Sequence, residues 1–116
     1  MEKDLFDALT ALTSGRVFPD VAKPGTATPY IVYQRVGGTS PQFVERVVPS
    51  KKNGRYQLSV WATDRKTAIA LSLDVERVLT EAPAFQAKPL GAAIDLYETD
   101  TELRGSRQDF SVWSDR

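Results

Sequence analysis

The chain contains no cysteine and no histidine. The first absence removes disulfide frameworks, thiol nucleophiles and thiolate metal sites. The second removes the side chain most used for proton transfer near neutral pH, the commonest zinc ligand, and the Ser-His and Cys-His nucleophile pairs. Charge of one sign is lacking too: fifteen Lys and Arg balance fifteen Asp and Glu, unlike the cationic excess of a typical nucleic-acid binder. No apolar run approaches the about twenty residues needed to cross a bilayer, so no membrane contact is expected. Met1-Glu2-Lys3-Asp4 is charged and no apolar stretch of the secretory type follows, which points to synthesis in the cytoplasm. What remains is 116 residues, 41% of them apolar, enough for one domain over residues 1–116 that buries roughly two-thirds of its unfolded surface. A non-enzymatic protein without cofactor or metal is the expectation.

Two stretches nearly echo each other: Leu58-Ser59-Val60-Trp61-Ala62-Thr63 and Phe110-Ser111-Val112-Trp113-Ser114-Asp115. Each alternates with period two, the pattern of a strand with two unlike faces. Tyr56, Leu58 and Val60 share one face of the first, and Phe110 and Val112 one face of the second. Gln57, Ser59 and Trp61, and Asp109, Ser111 and Trp113, take the opposite faces. Two neighbouring strands of this kind offer an apolar face to helices and a polar face carrying two large rings. A polar face with rings suits contact with another protein better than catalysis. Trp61 and Trp113 are therefore candidate interface residues, the other reading being half-burial under the N-terminal segment or a long loop.

The remaining pattern gives two helices and further strands. Residues 2–13 read as a helix, with Leu5, Leu9 and Leu12 on one stripe, acids at the start and Gly15 at the stop. Residues 16–19 read as a brief edge strand. After the loop at 20–29, Tyr30 to Val36 is rich in β-branched and aromatic residues and reads as a strand. Residues 37–54 read as a long protruding loop or hairpin closed by the tight-turn dipeptide Asn53-Gly54, with Phe43 to Val48 and Arg55 to Ala62 as its arms. A second helix is predicted at about 64–81, capped by Thr63 or Asp64 and stopped before Pro83. Strands near 92–99 and 107–114 follow. The fold class is α+β: an antiparallel sheet of about four main strands, two helices packed on one face, in the order α-β-β-α-β-β. Along the second helix, Ala68, Leu71, Val75, Val78 and Leu79 form the core stripe. Ile69 and Leu73 lie off it, either against the first helix or against a neighbouring subunit.

The order of these segments carries a resemblance. A leading helix precedes Arg16-Val17-Phe18-Pro19, then Pro29-Tyr30-Ile31-Val32-Tyr33-Gln34. Leu58-Ser59-Val60-Trp61-Ala62-Thr63 follows with its helix, and Asp109-Phe110-Ser111-Val112-Trp113 closes the chain. This resembles the tail-completion proteins of long-tailed bacteriophages and prophages, small α+β domains, over roughly residues 5–113. The resemblance implies a tail-terminator-like role. About six copies of the chain would close by head-to-tail contact into a ring on the head-proximal end of the tail tube. The ring would end tube polymerisation and present a surface to the head–tail connector. Its partners would be itself, the tail tube protein and connector proteins. Its location would be the host cytoplasm during assembly and then the virion tail, with no reaction and no cofactor.

Charge placement points the same way. Between residues 35 and 55, five basic residues (Arg35, Arg46, Lys51, Lys52 and Arg55) face Glu45 alone, an excess of four. Between 95 and 102 lie Asp95, Glu98, Asp100 and Glu102 with no base. Separated opposite patches suit head-to-tail association, because complementary potentials set orientation and register. Ordinary solvated surface is the competing reading. A third has the basic loop touch passing DNA transiently in a ring lumen. The acids do not form an obvious cation site, since Asp95 and Glu98 fall on opposite faces of a strand. Gly37-Gly38-Thr39-Ser40 lacks the helix and lysine of a phosphate loop. The competing functions are a ferredoxin-like small-molecule-binding regulatory domain, and a head-closure or neck protein of the same kind of particle.

Overall fold

Leu5 and Leu9 face one way from a first helix, α1 (Glu2–Leu9), which tightens into a 3-10 turn at Thr10–Leu12. Gly15, at a left-handed φ of +87°, then donates its N–H to the Thr10 carbonyl and turns the chain out of the helix. The computed structural model describes residues 1–41, 46 and 48–116. The expected hairpin arm from Phe43 to Val48 therefore lies largely outside the described residues, and its described members, Arg46 and Val48, are not in a strand.

Six strands follow: β1 (Val17–Pro19), β2 (Tyr30–Arg35), β3 (Lys51–Ala62), β4 (Gln86–Pro89), β5 (Ile94–Glu98) and β6 (Leu103–Asp115). They make one sheet in the order β1-β2-β3-β6-β4, with β5 beside β4 along the same edge of β6. The α+β class holds, but the sheet differs from the expected one in three respects. It is mixed, because β1 runs parallel to β2. β4 lies outside the expected elements, because Gln86-Ala87-Lys88-Pro89 is short, has no β-branched or aromatic residue and ends in proline. β3 begins at Lys51, so Asn53-Gly54 lies inside a strand instead of closing a turn.

That last difference has a local cause. Asn53 spends its side-chain amide across the ladder, donating to Ser111 Oγ at 2.9 Å and to the Val112 carbonyl at 3.3 Å. Gly54 is wanted there for space, because a Cβ would meet the Tyr56 ring at 2.7 Å. A dipeptide that favours a turn in isolation is thus held extended by tertiary partners.

The echoed strands are neighbours, paired antiparallel over twelve residues from Lys51↔Asp115 to Ala62↔Arg104. Tyr56, Leu58, Val60, Phe110 and Val112 all point to the helix face and are buried. Ile31, Tyr33 and Val17 extend this surface across β2 and β1. Above it lies α2 (Arg65–Glu81), whose Asp64 cap accepts from the Thr67 N–H at 2.7 Å. Leu71, Val75 and Leu79 pack with Leu5 and Leu9 over the sheet, and Phe85 closes the core just beyond the helix. Each large apolar side chain so buried is worth about 1.5–3 kcal/mol in transfer free energy. The helix face also buries polar groups of β6 in pairs. Ser106 donates to Ser72 at 3.2 Å, and Gln108 bonds Glu76 and the Gly91 carbonyl at 3.2 and 2.8 Å.

With both helices on one side, the other face of the sheet carries no helix among the described residues. The whole molecule is elongated, about 52 × 24 × 24 Å.

Candidate interaction surface

The outward face inherits every second residue of the central strands. Tyr30, Val32 and Gln34 come from β2, and Gln57, Ser59 and Trp61 from β3. Trp61 pairs with Tyr30 on one side and Gly105 on the other. Its indole lies across Gly105, where a Cβ would come within 2.7 Å of the ring. The missing side chain therefore lets the ring lie down on β6, half-buried.

Two segments wall this face. The loop at residues 20–28 folds over β2, with Asp20 N–H donating to the Tyr33 carbonyl at 2.9 Å. The turn after β5 closes from the other side, and there Thr101 donates its hydroxyl to Glu98 at 2.8 Å. Between them is a groove of about 690 Å³, floored by Tyr30, Val32, Ser59 and Trp61. Asp20, Glu98 and Asp100 line it against Lys23 alone. The Tyr30 phenol is pushed above its ordinary pKa, chiefly by burial and secondarily by the nearby Glu98 carboxylate.

Trp113 shares the outward face but not the groove. It pairs with Asn53 and Gln86, eight residues along β6 from Gly105, or about 27 Å at strand spacing. There it lines a separate hollow with Lys51, Phe85 and Asp115. The sheet does not bring the two tryptophans together, because antiparallel pairing places the echoed motifs end for end.

The charged residues divide in the same way. Lys51 and Lys52 lie at the Trp113 end of the ladder, and Glu98 and Asp100 at the Trp61 end. Three expected charges are matched within the chain. Lys51 is paired with Asp115, which holds that carboxyl below its ordinary pKa. Arg55 holds Asp109 through Nε and Nη2 at 2.9 and 2.7 Å. Asp95 lies 3.4 Å from Arg65 Nη1 on the helix side, an ion-pair contact without hydrogen-bond geometry. Lys52 and Arg35 have no ion pair among the described residues and converge on one small hollow beside Gly54 and Tyr56. Arg46 is exposed, with its backbone in the left-handed region. Glu98 points outward opposite Leu103, while Asp95 faces the helix side opposite Ser106, so these acids do not converge. Glu102 is exposed and its carbonyl accepts from Arg104, whose guanidinium lies 4.3 Å from the centre of the Tyr97 ring. No cluster of three or more metal-ligating side chains occurs among the described residues.

Ile69 and Leu73 remain 44% and 61% exposed on α2. The first helix does not cover them, contrary to one of the two expectations. They lie on the flank from which Arg65, Ser72 and Glu76 reach β5 and β6. Asp20, Val32 and Leu103 were missed as surface residues. Val32 was legible from the alternation of β2, whereas the fold of the 20–28 loop over the sheet left no pattern.

The described residues thus form an elongated α+β domain with its helices on one face of the sheet and a walled groove on the other. The chain belongs to the tail completion protein gp17 family, which matches residues 6–115. It is thus a member of a bacteriophage tail-completion family, as the order of its sequence segments suggests. No curated protein matches it. Among solved structures, it is similar to a chain of the virion of a native gene transfer agent particle, at 17% identity. That match has a TM-score of 0.68 and covers 100% of this chain and 95% of the other, a likeness of fold.

Proposed function

We propose that this protein is a non-enzymatic tail-completion subunit that closes into a ring on the head-proximal end of the tail tube. The observation that carries this reading is the family match over nearly the whole chain. The likeness of fold to a virion chain is in keeping with it. The mechanism is capping. A subunit whose one face matches the last tube ring, and whose opposite face is unlike the tube, makes further tube addition unfavourable. That second face is then free for the head connector. Ring closure uses a heterologous contact between two different surfaces of the same chain. The elongated body with unlike ends supplies two such surfaces.

Electron microscopy of a lysate from the source phage or prophage with this gene deleted tests the proposal. Full heads beside free tails of irregular or excessive length support the terminator role. Tails of normal length without heads move the role to a joining or neck protein. Intact infectious particles overturn both and restore the small-molecule-binding reading.

A further inference from the structure

We propose that the acidic groove at the Trp61 end is the seat for the basic end of a second copy of this chain. The proposal rests on the ring reading and names the surfaces that close it. The groove offers what a guanidinium or ammonium group recognises: aromatic floor at Tyr30 and Trp61, and carboxylates at Asp20, Glu98 and Asp100. A cation over an aromatic face gains from the ring quadrupole, and a carboxylate at the rim adds a charge-assisted hydrogen bond.

The same chain carries the complementary group. Arg35 and Lys52 meet beside Gly54 with no ion pair among the described residues, whereas Lys51 and Arg55 are already matched by Asp115 and Asp109. They cannot fill their own groove, because both leave the sheet on its helix side, in line with Tyr56 and Val112, whereas the groove opens on the other face. Lys52 pairs with Ser114 and Glu98 with Leu103, eleven residues apart along β6, or roughly 36 Å. The contact must therefore join two molecules, and because the surfaces differ it is head-to-tail. A groove that carries net negative charge also disfavours a phosphate backbone as occupant.

The absence of cysteine makes a direct test available. Thr99 lies between Glu98 and Asp100, and Ser50 precedes Lys51, both exposed and neutral. Thr99→Cys and Ser50→Cys together place one thiol at each end, too far apart to be bridged within a chain. Treatment of assembled particles with a short bis-maleimide should give a ladder of covalent multimers. Each single-cysteine variant should give none. A peptide linking residue 50 of one copy to residue 99 of another is the expected product. In parallel, Arg35→Glu with Lys52→Glu should abolish joined particles, and adding Glu98→Lys with Asp100→Lys should restore them.

No ladder from joined particles that contain the protein overturns the proposal while leaving the ring reading intact. So does a cross-link from residue 99 to a different virion protein, or a dimer from a single-cysteine variant. Absence of the protein from particles overturns the ring reading as well.

Discussion

Replacing Gly105 by alanine adds a single methyl group to the sheet where the Trp61 ring lies against β6. That methyl would stand 2.7 and 2.8 Å from two carbons of the Trp61 ring and 2.8 Å from the Val60 carbonyl oxygen. The indole can tilt, but the carbonyl belongs to the central β3–β6 ladder and cannot. Overpacking of this kind costs about 1–3 kcal/mol. Against it stands a gain of about 0.4–1 kcal/mol from the stiffer unfolded chain, since Gly105 sits in ordinary strand conformation. Taking the middle of each range, the net effect is a loss of about 1.3 kcal/mol, or roughly 5 °C in Tm for a domain of this size. Thermal unfolding followed by circular dichroism reads the loss, and in a Trp113→Phe background, which leaves Trp61 as the single indole, fluorescence reports the ring's displacement. In a Trp61→Ala background the same substitution should cost less, because only the carbonyl contact remains. A Gly105→Ala variant as stable as the parent, with unchanged fluorescence, would refute the account of why this position is glycine.

Phe110→Ala, at a site with no exposure in the centre of the core, should cost about 3–5 kcal/mol in urea unfolding. Ser72→Ala should cost about 1–3 kcal/mol by leaving the buried Ser106 hydroxyl without its partner, while Ser72→Ala with Ser106→Ala should recover most of that loss. Asp64→Asn should change the acid limb of the stability profile. The Thr67 N–H holds the Asp64 carboxyl below its ordinary 3.8, so the stability it adds is full above that value. It is lost as pH falls through the lower folded value, and the wild-type decline across this window should be steeper than that of Asp64→Asn. Equal slopes would show that the cap charge contributes nothing.

The sequence made the centre of the fold legible because its signals are local and periodic. The alternation around Tyr56–Val60 and Phe110–Val112 names the buried face without reference to neighbours, and Asp64 with Pro83 brackets α2. The signal fades where partners lie far along the chain. Ser106 and Gln108 face the core but look like surface residues until Ser72, Glu76 and the Gly91 carbonyl are placed beside them. Asn53-Gly54 reads as a turn until Ser111 and Tyr56 hold it straight. The candidate surface shows the same division. Trp61 and Trp113 are correctly assigned to one face, but their separation depends on strand direction and register. The charge runs at 35–55 and 95–102 were visible as runs. Which charges stay unmatched depends on Asp109, Asp115 and Arg65, which no sequence spacing ties to them.

The ladder joining β3 to β6 has a mechanical meaning. Its twelve residue pairs span about 37 Å of the molecule's 52 Å length, with the hydrogen bonds lying across the strands. A pull between the two ends loads those bonds in shear, all together, instead of peeling them one at a time. The subunit is therefore stiffest along the direction that separates its basic and acidic ends. Anything fastened to both ends is held at a fixed spacing, as by a strut.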